Sequence, residues 1–124
     1  MTLRHRTCYH RVVIISLVRF QLSETVDLDA ARVAFGQTAA SYLDVPGLLF
    51  KAYLRAEDGN SLGGIYWWAD RESAEAKFNE GWLAGVTEKY GVAPTIEWFD
   101  APVVVDPVQQ MIRVTPPNRP ITGF

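Results

Sequence analysis

Gly63–Ala69 reads Gly-Gly-Ile-Tyr-Trp-Trp-Ala, and this run constrains the chain more than any other. Its aromatic and β-branched content suits a strand. Strand side chains alternate in direction, so Ile65 and Trp67 face one way while Tyr66 and Trp68 face the other. Bulk on both sides calls for cover on both sides. The run Val12–Val18 makes the same demand, with Val13, Ile15 and Leu17 on one face and Val12, Ile14 and Val18 on the other.

The rest of the pattern supplies the cover for one face. The first strand is expected over Arg11–Phe20. Asp27 is placed to cap a helix whose stripe is Leu28, Ala31, Phe35, Ala39 and Tyr42, at helical spacing. Pro46-Gly47 stops it. Leu48–Glu57 alternates as a strand, with Leu48, Phe50, Ala52 and Leu54 on one side and Leu49, Lys51, Tyr53 and Arg55 on the other. Asp58-Gly59-Asn60-Ser61 is turn chemistry, so 48–69 reads as a hairpin. Asp70 caps a second helix with Ala74, Phe78, Trp82, Val86 and Tyr90 as its apolar positions, and Gly81 and Gly85 hint at a kink. Gly91 ends it. Thr95–Val105 is the last strand, interrupted by Pro102, which implies an edge or a bulge.

The order is β-α-β-β-α-β. This is the ferredoxin-like arrangement of the α+β class, an antiparallel four-stranded sheet with both helices on one face. The other face stays apolar. Leaving it wet would cost about 25 cal/mol per Å2, and such a patch marks an interface. The simplest cover is a second copy, sheet against sheet, giving a homodimer.

The chain has 124 residues, which fits one domain, expected over 11–106. Residues 1–10 are expected as an untethered extension, on which His5, Cys8 and His10 do not amount to a preformed metal site. Residues 107–124 form a tail with Pro107, Pro116, Pro117 and Pro120. Between residues 20 and 106 there are 6 Lys and Arg against 14 acidic residues, a net charge of −8. An acidic body argues against nucleic acid as a partner. The apolar run at Val12–Val18 is too short for a membrane span and lacks a cleavage site, so no membrane is expected and a cytoplasmic location is.

Pro46-Gly47-Leu48-Leu49-Phe50-Lys51 and Gly63-Gly64-Ile65-Tyr66-Trp67-Trp68-Ala69-Asp70 resemble the small monooxygenases of the YdhR type, as do Ser73-Ala74 after Asp70 and the Phe99-Asp100 pair. The resemblance covers roughly residues 13–106. It implies a dimeric α+β barrel, the fold also used by cofactor-independent, quinone-forming monooxygenases. That barrel hosts several unrelated activities, so the fold follows more firmly than the function.

The residues themselves offer few standard catalytic sets. No GxGxxG fingerprint is present, and no G-x-S-x-G elbow, so a nicotinamide, a flavin or any other cofactor is not expected. General base work would fall to Lys51, Glu97 or Asp100. What remains is an aromatic-rich sheet with a few polar groups, the usual make-up of a small-molecule site. Lys51, Tyr66 and Glu97 are the candidate catalytic residues. Arg19, Tyr53, Arg55, Trp68 and Trp98 are the candidate binding residues for a small apolar, aromatic or phenolic ligand. Lys51 or Arg19 would neutralise a substrate anion, and Tyr66 or Trp68 would donate a hydrogen bond to it. If register aligns Lys51 and Tyr53 with Tyr66 and Trp68, one cavity receives an ammonium, a phenol and an aromatic wall. The same residues have plainer uses: aromatic side chains as core, Lys51 and Arg55 as a solvated edge, Glu97 as a cross-strand partner of Lys51. A non-catalytic dimer that sequesters a small ligand is the alternative to an enzyme.

Overall fold

The structure, a computed structural model, describes residues 5–9 and 13–116. Its centre is the expected ferredoxin-like unit. Strands β2 (Val13–Gln21), β3 (Leu48–Arg55), β4 (Ser61–Trp68) and β5 (Thr95–Ala101) form a four-stranded antiparallel sheet in the order β3-β4-β2-β5. Helices α1 (Leu28–Gly36), α2 (Arg71–Lys77) and α3 (Glu80–Tyr90) join them.

The register decides which residues share a face. Ser16 lies opposite both Tyr66 and Trp98, and Tyr66 in turn lies opposite Lys51. Val18 lies opposite Gly64, which lies opposite Tyr53. These residues therefore point together. Their face carries the core, built on Val18, Phe20, Tyr66, Trp68 and Ala74, against which Phe78, Trp82 and Tyr90 pack. The opposite face holds Ile15, Leu17, Arg19, Phe50, Ile65, Trp67, Glu97 and Phe99. The register shifts between Leu48 and Phe50, so Leu48 joins the core instead of following Phe50 to the outer face as simple alternation predicts.

Each helix starts where a short polar side chain takes an unpaired amide. Asp27 accepts from Ala30 N at 2.8 Å and Asp70 from Ser73 N at 2.7 Å. The expected helix after Asp70 is two helices. It breaks at Phe78–Asn79, ahead of both glycines, because the Asn79 side chain accepts from Trp82 N at 2.9 Å and so caps a new start. Gly91, at φ 76°, closes α3 in the left-handed conformation. The stripe that begins at Leu28 is also divided: the α-helix stops at Gly36 and a 3-10 turn, Ala39–Tyr42, carries Tyr42.

The ends differ from the sequence expectation. Arg6–Tyr9, expected as a loose extension, forms β1, which runs parallel to β7 (Met111–Val114). Between them in sequence lies β6 (Val103–Asp106), antiparallel to β7, giving a small sheet of order β1-β7-β6. The strand expected over Thr95–Val105 is split at Pro102, which has no N–H to offer a ladder, so β5 ends in one sheet and β6 begins in the other. The Arg113 guanidinium reaches Asp106 at 3.5 Å within the small sheet. Residues 10–12 and the prolines at 117 and 120 lie outside the described residues, as does residue 11, where the first strand was expected to begin. Among the described residues no helix is long and apolar enough to cross a membrane.

Candidate functional site

A cavity of about 280 Å3 opens between the helix-covered face of the main sheet and the layer formed by the 3-10 turn and α3. That lies near the lower end of the ~300–1,000 Å3 range typical of small-molecule sites. Lys51 and Tyr53 of β3 and Tyr66 of β4 form its floor, Tyr42 one wall, and Trp82 and Tyr90 of α3 another. Gly64 makes this approach possible, since a Cβ there would stand 3.2 Å from the Tyr66 ring and 3.4 Å from Lys51 Cε.

The Lys51 ammonium is half-buried among aromatic faces. Its Nζ lies 3.2 Å from the Tyr42 ring centroid, 3.7 Å from that of Tyr53 and 4.7 Å from that of Tyr66. Ring faces attract a cation, but burial costs it more. Desolvation, with the positive charges of Lys77 and Lys89 adding to it, lowers the Lys51 pKa to about 7. At neutral pH the amine and the ammonium are then both well populated.

The tyrosines are held in place. Tyr53 OH and Thr38 Oγ1 share a hydrogen bond of 2.7 Å, and Phe35 stacks on the Tyr53 ring at 4.6 Å. Trp82 Nε1 donates to Tyr42 OH at 3.2 Å. Tyr66 is buried and lies parallel to Trp68 at 5.8 Å. Burial, with Tyr42 beside it, pushes the Tyr66 phenol far above the usual tyrosine range, so it stays a neutral hydroxyl. Burial also raises Tyr53 and Tyr90.

Of the residues singled out from sequence, the structure brings Lys51, Tyr53 and Tyr66 to one cavity. The other five stand elsewhere. Arg19 and Glu97 project from the outer face, because each is an odd number of residues from the inward positions Val18 and Ile96. Glu97 therefore neither pairs with Lys51 nor reaches the cavity. Arg55 donates from Nε to the Val26 carbonyl at 2.7 Å, pinning the loop before α1. Trp68 is fully buried, and its Nε1 donates to Ser16 Oγ at 3.0 Å, leaving no donor for a ligand. Trp98 carries the Arg71 guanidinium 3.7 Å over its ring, outside the cavity lining. The sequence reading passed over Lys77 and Lys89, and took Tyr42, Trp82 and Tyr90 as packing positions of helical stripes. Placing these five needs the rotation of each helix about its axis.

No family model matches the chain, and no curated protein matches its sequence. Solved structures do resemble it. One is SnoaB, a cofactor-independent oxygenase from Streptomyces nogalater, at 24% identity and a TM-score of 0.53, covering 73% of this chain and 93% of that one. A monooxygenase from ActVA-Orf6 of Streptomyces coelicolor, in complex with nanaomycin D, matches at 19% identity and a TM-score of 0.51, over 73% of this chain and 88% of the other. NE2512 of Nitrosomonas europaea, a protein of unknown function, matches at 18% identity and 0.52, over 74% and 91%. At these identities the likeness is one of architecture, and the chain has the ferredoxin-like α+β fold that these two Streptomyces oxygenases share.

Proposed function

We propose that this chain is a cofactor-independent, monooxygenase-like enzyme of the YdhR type, acting as a cytoplasmic homodimer on a small phenolic or polyketide-like aromatic substrate. The observation that carries the reading is Lys51: an amine with a pKa near 7, set among three tyrosine rings in a cavity of aromatic-ligand size. The two Streptomyces oxygenases of the same fold support the reaction class.

A base works best when its pKa lies near the working pH. The neutral Lys51 amine takes a proton from the acidic position of the substrate, and the ammonium so formed stays beside the anion it has created. Tyr66, kept protonated by burial, donates to the substrate oxygen on which the charge collects. The anion then supplies electrons to O2. For a methylene between aromatic rings, a C–O bond forms to give a hydroperoxide, and loss of water leaves a carbonyl. One O2 is consumed and one water released per ketone or quinone formed. The aromatic walls exclude water from the anion. Glu97, Arg19, Arg55, Trp68 and Trp98 have no direct part in this scheme.

Oxygen uptake with anthrones tests the reading, with anthraquinone formation followed by absorbance. The expected result is uptake above the buffer rate, one O2 per quinone, lowered about 10²–10⁴-fold by Lys51→Met, the span that general acid–base catalysis contributes. Tight binding of these compounds with no enzyme-dependent uptake would overturn the reading and leave a protein that sequesters a small ligand.

A further inference from the structure

The chain has three lysines, Lys51, Lys77 and Lys89, and all three line the one cavity. Among the described residues no aspartate or glutamate lines it, and no ion pair holds any of the three. This is not for want of acids, since the body between residues 20 and 106 holds 14 of them. The lysines come from three different elements, β3, α2 and α3. Lys77 and Lys89 sit in the last turns of their helices, where a cation complements the helix dipole. Lys51, on a strand, gains nothing that way, and the other two oppose its charge. Three like charges around an acid-free hollow repel one another, and an anion from outside relieves them.

The depth of the three differs. Lys51 is half-buried on the floor, Lys77 is half-buried with its Nζ 4.9 Å from the Tyr42 centroid, and Lys89 is exposed at the rim. Beside Lys89 the α3 wall is cut back at Gly81 and Gly85, one turn apart. A Cβ at Gly85 would meet nothing within 4 Å, and one at Gly81 only Asn79 Oδ1 at 3.3 Å. Space and positive charge therefore coincide at the mouth.

We propose that the cavity takes a planar aromatic substrate bearing a carboxylate as well as its reactive hydroxyl, with the hydroxyl at Lys51 and the carboxylate between Lys77 and Lys89. The proposal rests on the oxygenase reading only for the orientation of the hydroxyl, and it specifies the substrate class. A carboxylate adds little volume to a planar skeleton, which suits a hollow of about 280 Å3. Lys77 and Lys89 are positioning residues in this scheme: they fix the end of the substrate away from the base.

The probes are 6-hydroxy-2-naphthoate and its amide, which match in shape and differ in charge, measured by calorimetry on the full chain. The naphthoate is expected to bind at least tenfold tighter than the amide at low salt. The preference should shrink at 0.5 M salt, where charges near the surface are screened. Lys77→Met with Lys89→Met should abolish it while amide affinity stays within twofold, a control that the fold is intact. Lys77→Arg with Lys89→Arg should keep it. Equal binding of acid and amide, or a preference that survives the methionine pair, overturns the proposal. No oxygen is consumed in these measurements. A carboxylate preference without oxygen uptake therefore removes the oxygenase reading alone, and oxygen uptake without the preference removes this one alone.

Discussion

The two faces of the main sheet carry similar aromatic weight and end in different situations. Trp68 and Trp67 are neighbours in sequence, yet Trp68 has no exposed surface and a hydrogen bond to Ser16, whereas Trp67 lies half-buried against Phe50. On the inner face the helices bury the aromatics and leave a hollow lined by three lysines. On the outer face Phe50 is 52% exposed and Phe99 49% exposed, and Leu54, four residues further along β3, is exposed as well. Only a corner is shielded, where Val104 and Arg113 of the small sheet share a cleft with Val13, Phe50 and Trp67. The inner face thus reads as core plus site. The outer face is the surface that the proposed dimer would bury against a second copy. Hydrophobicity alone does not separate the two uses; the polar groups do. Ser16, Lys51 and the tyrosine hydroxyls are inside, while Arg19, Gln21, Ser61, Thr95 and Glu97 are the polar groups of the outer face.

The largest effect expected is on the tryptophan pair. Trp68→Ala should cost about 3–5 kcal/mol of folding stability, as large-to-small core changes do. Trp67→Ala should cost clearly less in chains diluted to monomers. Chemical denaturation of both variants checks this, and equal losses would break the distinction between the faces. Next in size is association. Light scattering should give twice the 13.9 kDa chain mass. Phe99→Glu should weaken the dimer by roughly 2–3 kcal/mol, the worth of one buried aromatic, without unfolding the chain. A wild-type monomer at micromolar concentration would remove the interface from the outer face.

The third effect belongs to the inner face and turns on the sign of a titration. Lys51 has a folded-state pKa near 7, below the ordinary lysine value of 10.5. Between those values the unfolded chain binds the proton that the folded chain has released, so stability rises with pH across that window. It is lost again as pH falls through 7. The groups facing Lys51 are Tyr42, Tyr53, Tyr66, Lys77 and Lys89, and the raised phenols of Tyr53 and Tyr66 keep these two uncharged through most of the window. Lys51→Met should therefore flatten the stability-against-pH curve between pH 7 and 10. An unchanged slope would place the lysine in water and dissolve the difference in polarity between the faces.

The ferredoxin-like core was legible because each element has a local signature: alternation in β2, β3 and β4, a capping aspartate at 27 and 70, Gly91 after α3. The small sheet was not. Arg6–Tyr9 and Met111–Val114 have four residues each, too few for periodicity, and β1 finds its partner at the far end of the chain. The site was legible in part. Lys51 and Tyr66 each announce a face, but whether those faces coincide depends on register, which no single strand encodes. Arg19 and Glu97 were drawn into the site by charge, and the register moves them to the other side of the sheet. The hydrogen bond from Trp68 to Ser16 depends on two residues far apart in the chain, so the loss of that donor could not be read from either strand alone.

The parallel pairing of β1 with β7 has a consequence for the order of assembly. The β3–β4 hairpin closes over five turn-rich residues, 56–60, and can form early. β1 must wait until Met111–Val114 is available, and closing so long a loop carries a larger entropic cost. The small sheet is therefore expected to join last in folding and open first in the native state, with amides of β1 exchanging faster than those of β4. Whatever it covers at the corner of the outer face stays open to solvent until then. A chain emerging from the ribosome would complete its cavity while that edge was still unfinished.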